Sequence, residues 1–400
     1  MHAPVMSEIN DPGPLRASGG LKGGLLGVGV IALIAGFALA YSHDPATAFG
    51  ILLVQYCFYF FISLAGLFFT ALHYTAGAKW STPIRRVAEG LASFFPISVV
   101  LLVGILLGAG YLYDWAPANA DYPYHGSFKD MYLSTPAFWF RTLGFVALCF
   151  AFKHWIIGGS LKQDQSKDPE IYTRNVTRSI LFLIVFGMGF TLFTMDILMS
   201  LQAKFFSTMF GIYCFAGMFL SGISVITLLT MNFRRLGYLA PFVRYMHMRD
   251  LGTWLMGFAT FMMYVGFSQY MLIWYANMPD ETFYFMQRSA KGWGAVFVLL
   301  PLLKWIVPFF VLMPNSMRTN PKAVIFVCTS ILVGQYIDIY WMVIPTLFES
   351  FRIPGIADIL MFVGVGGLFG FSIMSFYEKH SLLALGDPYL LAAVNGEHLH

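Results

Sequence analysis

Four ionisable side chains, Glu89, Asp196, Lys304 and Asp338, stand inside long runs of apolar residues. An isolated charge in hydrocarbon costs about 2.5–3.5 kcal/mol on insertion scales, so such groups normally face the interior of a helix bundle and serve a purpose there. Carboxyls and amines withdrawn from water exchange protons closer to neutrality. The four are therefore a candidate set of stepping stones for protons entering from both faces of a membrane and meeting near its middle. Plainer uses exist for two of them. Glu89 lies one turn after Arg85 and Arg86 on the same helix, and Asp196 is placed to cap a span end or to bond backbone. Lys304 and Asp338 have no partner nearby in sequence.

Other chemistries find no support in the residues. Cys57, Cys149, Cys214 and Cys328 all lie in apolar runs without a CxxC or CxxCH spacing, which leaves no pattern for an iron–sulfur cluster, an attached haem or zinc. A membrane-embedded b-type haem needs histidines facing one another from different spans. Here His73, His154 and His247 all sit near span ends on one side, and no span carries two. The glycine-rich stretch Val363-Gly364-Val365-Gly366-Gly367 lacks the Lys-Ser/Thr of a phosphate loop and reads as a helix-packing surface. The aromatic run Tyr56-Cys57-Phe58-Tyr59-Phe60-Phe61 reads as lipid-facing or packed, although a quinone ring could stack on it.

The elements that must position these groups follow from composition. Of 400 residues 58% are hydrophobic and only 11% charged, where a soluble domain is about half apolar and a quarter charged, so most of the chain belongs in lipid. A span needs about 20 apolar residues. Ten such runs occur, near residues 22–41, 47–75, 84–112, 137–160, 176–200, 208–232, 250–276, 292–313, 322–345 and 355–378. Backbone in hydrocarbon must satisfy its own hydrogen bonds, and these runs are far too long for barrel strands, so the fold expected is all-α and polytopic. Ala38-Leu39-Ala40 imitates a signal-peptidase site, but the apolar stretch before it is long for a signal peptide and reads as a retained first span.

Basic residues set the expected orientation. Sixteen lysines and arginines, from Arg16 and Lys22 to Lys322 and Lys379, fall on the side of the amino terminus. Five (Lys129, Lys204, Arg288, Lys291 and Arg352) fall on the other, and Arg141, Lys153 and Lys304 fall within spans. Retention of positive charge on the cytoplasmic side then places both termini in the cytoplasm, which requires an even number of spans. The net charge of +4 is spread by topology rather than gathered into a patch for nucleic acid. The longest outer connection, Tyr113 to Pro136, is rich in Tyr, Trp, Pro and Asp and suits a segment covered by another protein. Every other connection reads as short, so a redox domain would have to belong to a partner chain.

Several stretches go beyond composition. They are Gly66-Leu67-Phe68-Phe69-Thr70-Ala71-Leu72-His73-Tyr74 with Arg85-Arg86-Val87-Ala88-Glu89, then Asp196 to Leu201 running on to Phe206-Ser207-Thr208, then Leu272 to Thr282 with Asn277-Met278-Pro279-Asp280, and Gly386-Asp387-Pro388 in the tail. In order and topological position they resemble the F subunit of bacterial alternative complex III, of the polysulfide-reductase membrane-subunit (NrfD-like) group. The chain departs from that pattern at Gln202-Ala203-Lys204, where the family typically carries acidic or neutral residues.

The resemblance implies two four-helix bundles, 47–200 and 201–345, flanked by span one (22–46) and span ten (346–378), with short terminal segments at 1–21 and 379–400. It implies a subunit, either non-catalytic or of quinone-binding type, of a respiratory or photosynthetic quinol-oxidising complex in the bacterial inner membrane, where it would support assembly and could conduct protons. Its partners would be a multihaem cytochrome c, an iron–sulfur protein, a paralogous NrfD-like membrane subunit and lipids. Haem c and iron–sulfur clusters would sit in the partners, with no cofactor in this chain and the quinone unassigned. Two other classes fit the topology. A secondary transporter predicts matched helix interruptions in two halves, which the Gly and Pro positions do not show. A structural anchor would leave all four charges inert.

Overall fold

The computed structural model describes residues 11–16, 19–116, 128–166 and 168–395. Among them ten helices are long and apolar enough to cross a membrane, which makes the chain an all-α, multi-pass membrane protein. In order they are Gly19–His43, Pro45–Thr75, Lys79–Leu107, Thr135–Ser166, Pro169–Leu201, Phe210–Arg235, Tyr245–Ala276, Gly294–Leu312, Pro321–Leu347 and Ile356–Tyr377, spans one to ten below.

Local chemistry fixes where several of them begin. Spans two, five and nine start with proline at the first helical position, behind Asp44, Asp168 and Asn320, whose side chains accept backbone N–H groups the helix leaves unpaired. The Thr47 hydroxyl, donating to Asp44 at 2.6 Å, holds that carboxyl below its usual range, so the cap is intact at neutral pH and is lost only in acid. The Asp168-Pro169 start carries span five back to Pro169 rather than 176, and span seven begins at Tyr245 rather than 250, where Arg244 N donates to His247 Nδ1 at 3.0 Å.

Packing is in two rings of four. Spans two to five surround one another, as do spans six to nine, and the rings meet where span two lies against spans six and nine and span five against span six. Span two is buried along its length, so the run Tyr56 to Phe61 is packed and does not face lipid. Spans one and ten pair with each other and lean on span two. Lys22 meets Glu378 at 2.7 Å and Leu15 N donates to Tyr377 O at 2.8 Å, which brings the start of span one beside the end of span ten. The described ends of the chain therefore share one end of the bundle, called inner here; the other is outer.

Two connections differ from expectation. The segment after span seven is not a short loop but a helix, Pro279–Ser289, folded over the outer end of the second ring. The start of the long outer connection is committed within the chain, since Tyr113 Oη donates to Ile197 O at 2.9 Å and Trp115 Nε1 to Ser200 O at 3.1 Å. Residues 117–127 of that connection lie outside the described residues.

Spans one and ten touch backbone to backbone. A Cβ on Gly364 would come within 2.5 Å of Leu33 N, and one on Gly29 within 3.0 Å of Leu368 N. Close approach through small residues is how helices associate where lipid removes the hydrophobic drive between them. Gly364→Leu should separate span one from span ten at a cost of about 1–3 kcal/mol, the usual range for overpacking. A short bis-maleimide joining cysteines that replace Lys22 and Glu378, whose side chains meet at 2.7 Å, checks it, with a strong cross-link in the parent and a weak one in the variant.

Candidate functional site

All four candidate residues are buried, and each has a partner. At the inner end of the first ring, Glu89 on span three accepts from Arg86 at 2.5 Å, one turn before it. Arg86 reaches across to Asp164 on span four, also at 2.5 Å. Beside it Arg85 pairs with Asp387 of the tail and lies 4.1 Å from the centre of the Tyr74 ring. Gly386 N donates to Asp164 Oδ1 at 2.9 Å, so the Gly386-Asp387 turn straps the tail across the inner end. Glu89 thus belongs to a network that ties spans three and four to the tail.

At the outer end of the same ring, Asp196 is gripped by both arms of Arg141 from span four, at 2.8 and 2.9 Å. Arg141 also lies 3.8 Å from the centre of the Tyr132 ring. Along span four the two clusters are attached about 23 residues apart, roughly 35 Å at 1.5 Å per residue. Between them the ring is filled by phenylalanines, with Phe60 against Phe193 at 5.6 Å, Phe61 against Phe190 at 5.5 Å and Phe145 against Phe193 at 5.0 Å.

The second ring holds the other two. Lys304 on span eight donates to Asp338 Oδ2 and to Gln335 Oε1 on span nine, each at 2.7 Å. The second oxygen of Asp338 accepts from Tyr213 Oη on span six at 2.8 Å. Sequence features make this geometry. Pro301 withholds a backbone N–H from span eight, and the next turn, Leu302–Ile306, widens to a π-turn that carries Lys304 inward. Opposite it span nine has Gly334, where a Cβ would stand 2.6 Å from Lys304 Cγ. The cluster borders a half-open cavity of about 300 Å³, lined by Tyr213, Gln269, Lys304 and a wall of aromatic rings.

Of the four residues, then, the structure brings only Lys304 and Asp338 together. Tyr213 and Gln335, which complete their cluster, carry no charge and drew no attention in the sequence. Arg141 was visible only as a basic residue inside a span. Arg288, counted among the outer basic residues, is in fact 1% exposed. It donates to the carbonyl oxygens of Trp341 at 3.1 Å and Met342 at 2.7 Å near the end of span nine and to Gln202 Oε1 at 3.2 Å, with its guanidinium 3.6 Å from the centre of the Tyr284 ring. Arginine suits that place because its planar fork can satisfy several carbonyls at once.

The remaining candidates for chemistry stay apart. His73 and His154 bond carbonyl oxygens one turn back on their own helices, at 2.7 and 2.9 Å. The four cysteines are buried and unbridged. Among the described residues no three His, Cys, Asp or Glu side chains converge as metal ligands. No protein-family model and no curated protein matches the chain.

The forked grip of Arg141 on a fully buried carboxylate is a different matter from an exposed pair such as Arg174–Glu170, one turn apart on span five. Arg141→Lys keeps the charge and loses the fork. It should cost about 1.5–3 kcal/mol, the worth of a charge-assisted hydrogen bond. Arg174→Lys should cost under about 0.5 kcal/mol. Thermal unfolding of the two purified variants beside the parent reads the difference.

Proposed function

We propose that this chain is a membrane subunit of a quinol-oxidising complex of the alternative complex III kind, and that its second ring passes protons through Lys304, Asp338 and Tyr213. The observation that carries the proton role is the buried pair itself. Each ion taken from water costs several kcal/mol, and an apolar pair of similar volume is often at least as stable, so fold stability alone does not call for charges at this place.

The chemistry available is simple. A proton arriving at Asp338 neutralises the carboxylate and releases its hold on the Lys304 ammonium. Lys304 can then give up a proton and take the next from Asp338, which restores the pair. Tyr213 Oη, already bonded to Asp338, can relay by accepting one proton as it donates another. Glu89 and Asp196 stand at opposite ends of the first ring and serve in this reading as inner and outer exchange points for other traffic, or as ties between helices. Membership of the complex rests on the sequence motifs. They imply a multihaem cytochrome c, an iron–sulfur protein and a paralogous membrane subunit as partners, with the redox centres in those chains. The sixteen-to-five split of basic residues supports both termini on the cytoplasmic face of a bacterial inner membrane.

The test is Asp338→Asn in the whole complex reconstituted into vesicles. Proton translocation per quinol oxidised should fall at least tenfold, while cytochrome and iron–sulfur protein still co-purify. Unchanged translocation by an intact complex would remove the proton role and leave an anchor. Purification of the parent chain without any cytochrome would remove the complex and favour a transporter.

A further inference from the structure

A half-open cavity of about 600 Å³ lies at the inner end of the second ring, bounded by the last turns of span six and the first turns of span nine. Its size falls within the range of small-molecule sites. The lining changes character along span six. Leu228 and Met231 are apolar, and Asn232, Arg234 and Arg235 follow as a polar and cationic rim. Across from them Val324 and Ile325 of span nine continue the apolar part. Span six runs for 26 residues, roughly 39 Å against about 30 Å of hydrocarbon, so its two terminal arginines stand at the level of lipid headgroups. Leu228, two turns before Arg235, stands roughly 10 Å deeper, among acyl chains.

The positive charge of this rim is unanswered. No acidic residue lines the cavity, and neither arginine side chain nor the Asn232 amide has a hydrogen-bond or ion-pair partner among the described residues. By contrast, at the same end of the bundle Arg86 holds Glu89 and Asp164, Arg178 the carbonyl oxygen of Trp155, and Arg318 that of Leu312. Span nine adds to the field, because its 27-residue helix starts at Pro321 on the same rim and carries partial positive charge there. A small soluble anion would answer the arginines and leave the apolar walls to water. A zwitterionic lipid would cover the walls and bring a cation of its own to the rim. A phospholipid of net negative charge meets both needs, since phosphate oxygens match the guanidinium fork and an acyl chain matches the walls. Basic pockets between spans hold anionic headgroups in this way at cytoplasmic faces.

We infer that this cavity binds an anionic phospholipid, with its phosphate between Arg234 and Arg235 and one acyl chain against Leu228, Val324 and Ile325. The bound lipid ties the inner ends of spans six and nine together. The site goes beyond the proton role and does not depend on it: with Lys304 and Asp338 inert, the rim and its walls would be unchanged.

The experiment uses the full chain in a neutral detergent, with bound lipid counted by native mass spectrometry. Dioleoylphosphatidylglycerol should bind the parent at least about tenfold more tightly than dioleoylphosphatidylcholine and should raise its unfolding temperature. Arg234→Gln with Arg235→Gln should remove that preference. Arg174→Gln with Arg178→Gln, which takes the same charge from span five at the same end of the bundle, should keep it. Equal binding of the two lipids by the parent would overturn the proposal, and so would equal loss in both double variants, which would mark diffuse surface charge. Release of the phosphatidylglycerol by millimolar inorganic phosphate or by a polyglutamate peptide would also overturn it, in favour of a free-anion or acidic-protein site. Should the Arg234/Arg235 variant fail to fold, Leu228→Trp decides in its place, because it fills the apolar part and keeps both arginines. Phosphatidylglycerol binding should then fall at least about tenfold, and unchanged binding would contradict the inference.

Discussion

Hydrocarbon offers nothing to a bare charge, and the arrangement of this protein follows from how it shelters the charges it carries inside its spans. The Lys304–Asp338 pair is the clearest case. Its two residues come from adjacent helices of one ring, and a third helix supplies Tyr213 to the free carboxylate oxygen. Such a cluster needs a bend in span eight and a missing side chain on span nine, and both are present as Pro301 and Gly334. The same rule governs the other charges. Asp196 is held by a forked arginine, Glu89 by Arg86, and Arg288, which has no carboxylate beside it among the described residues, by the carbonyl oxygens near the end of span nine.

The two rings use their interiors differently. The first keeps its buried charged groups at its ends and fills the space between them with phenylalanine, packed against the fully buried span two. The second keeps its pair within the ring, next to the half-open cavity. Pairing of spans one and ten closes the outside of the first ring, and the tail straps its inner end through Asp387 and Arg85. The π-turn, the buried ion pair and the cavity are thereby gathered in spans six to nine, under the helix Pro279–Ser289.

Much of this was legible in the sequence, for reasons that are local. Ten apolar runs could be counted because each span must be apolar over a length fixed by the bilayer. The partner of Glu89 could be guessed because one helical turn brings Arg86 to it. What was hidden is what depends on packing between distant segments. Lys304 and Asp338 are 34 residues apart and joined through a turn, and nothing in either span names the other. Tyr213 is one of 21 tyrosines, and only its place against Asp338 sets it apart. Pro301 and Pro308, on either side of the lysine, were the available signs that span eight departs from a regular helix there. Arg288 sits in a segment too polar to read as a span and too short to read as a domain, although Pro279 followed by Asp280 and Glu281 is a helix start in composition.

The central claim is that Lys304 and Asp338 shelter one another, and a double-mutant cycle on unfolding measures it directly. Lys304→Met or Asp338→Leu alone leaves an unpaired ion and should lose about 3–5 kcal/mol, while the two together should recover most of that loss. Losses that simply add in the double variant would mean that the two charges do not depend on each other, and the account built on their pairing would fail.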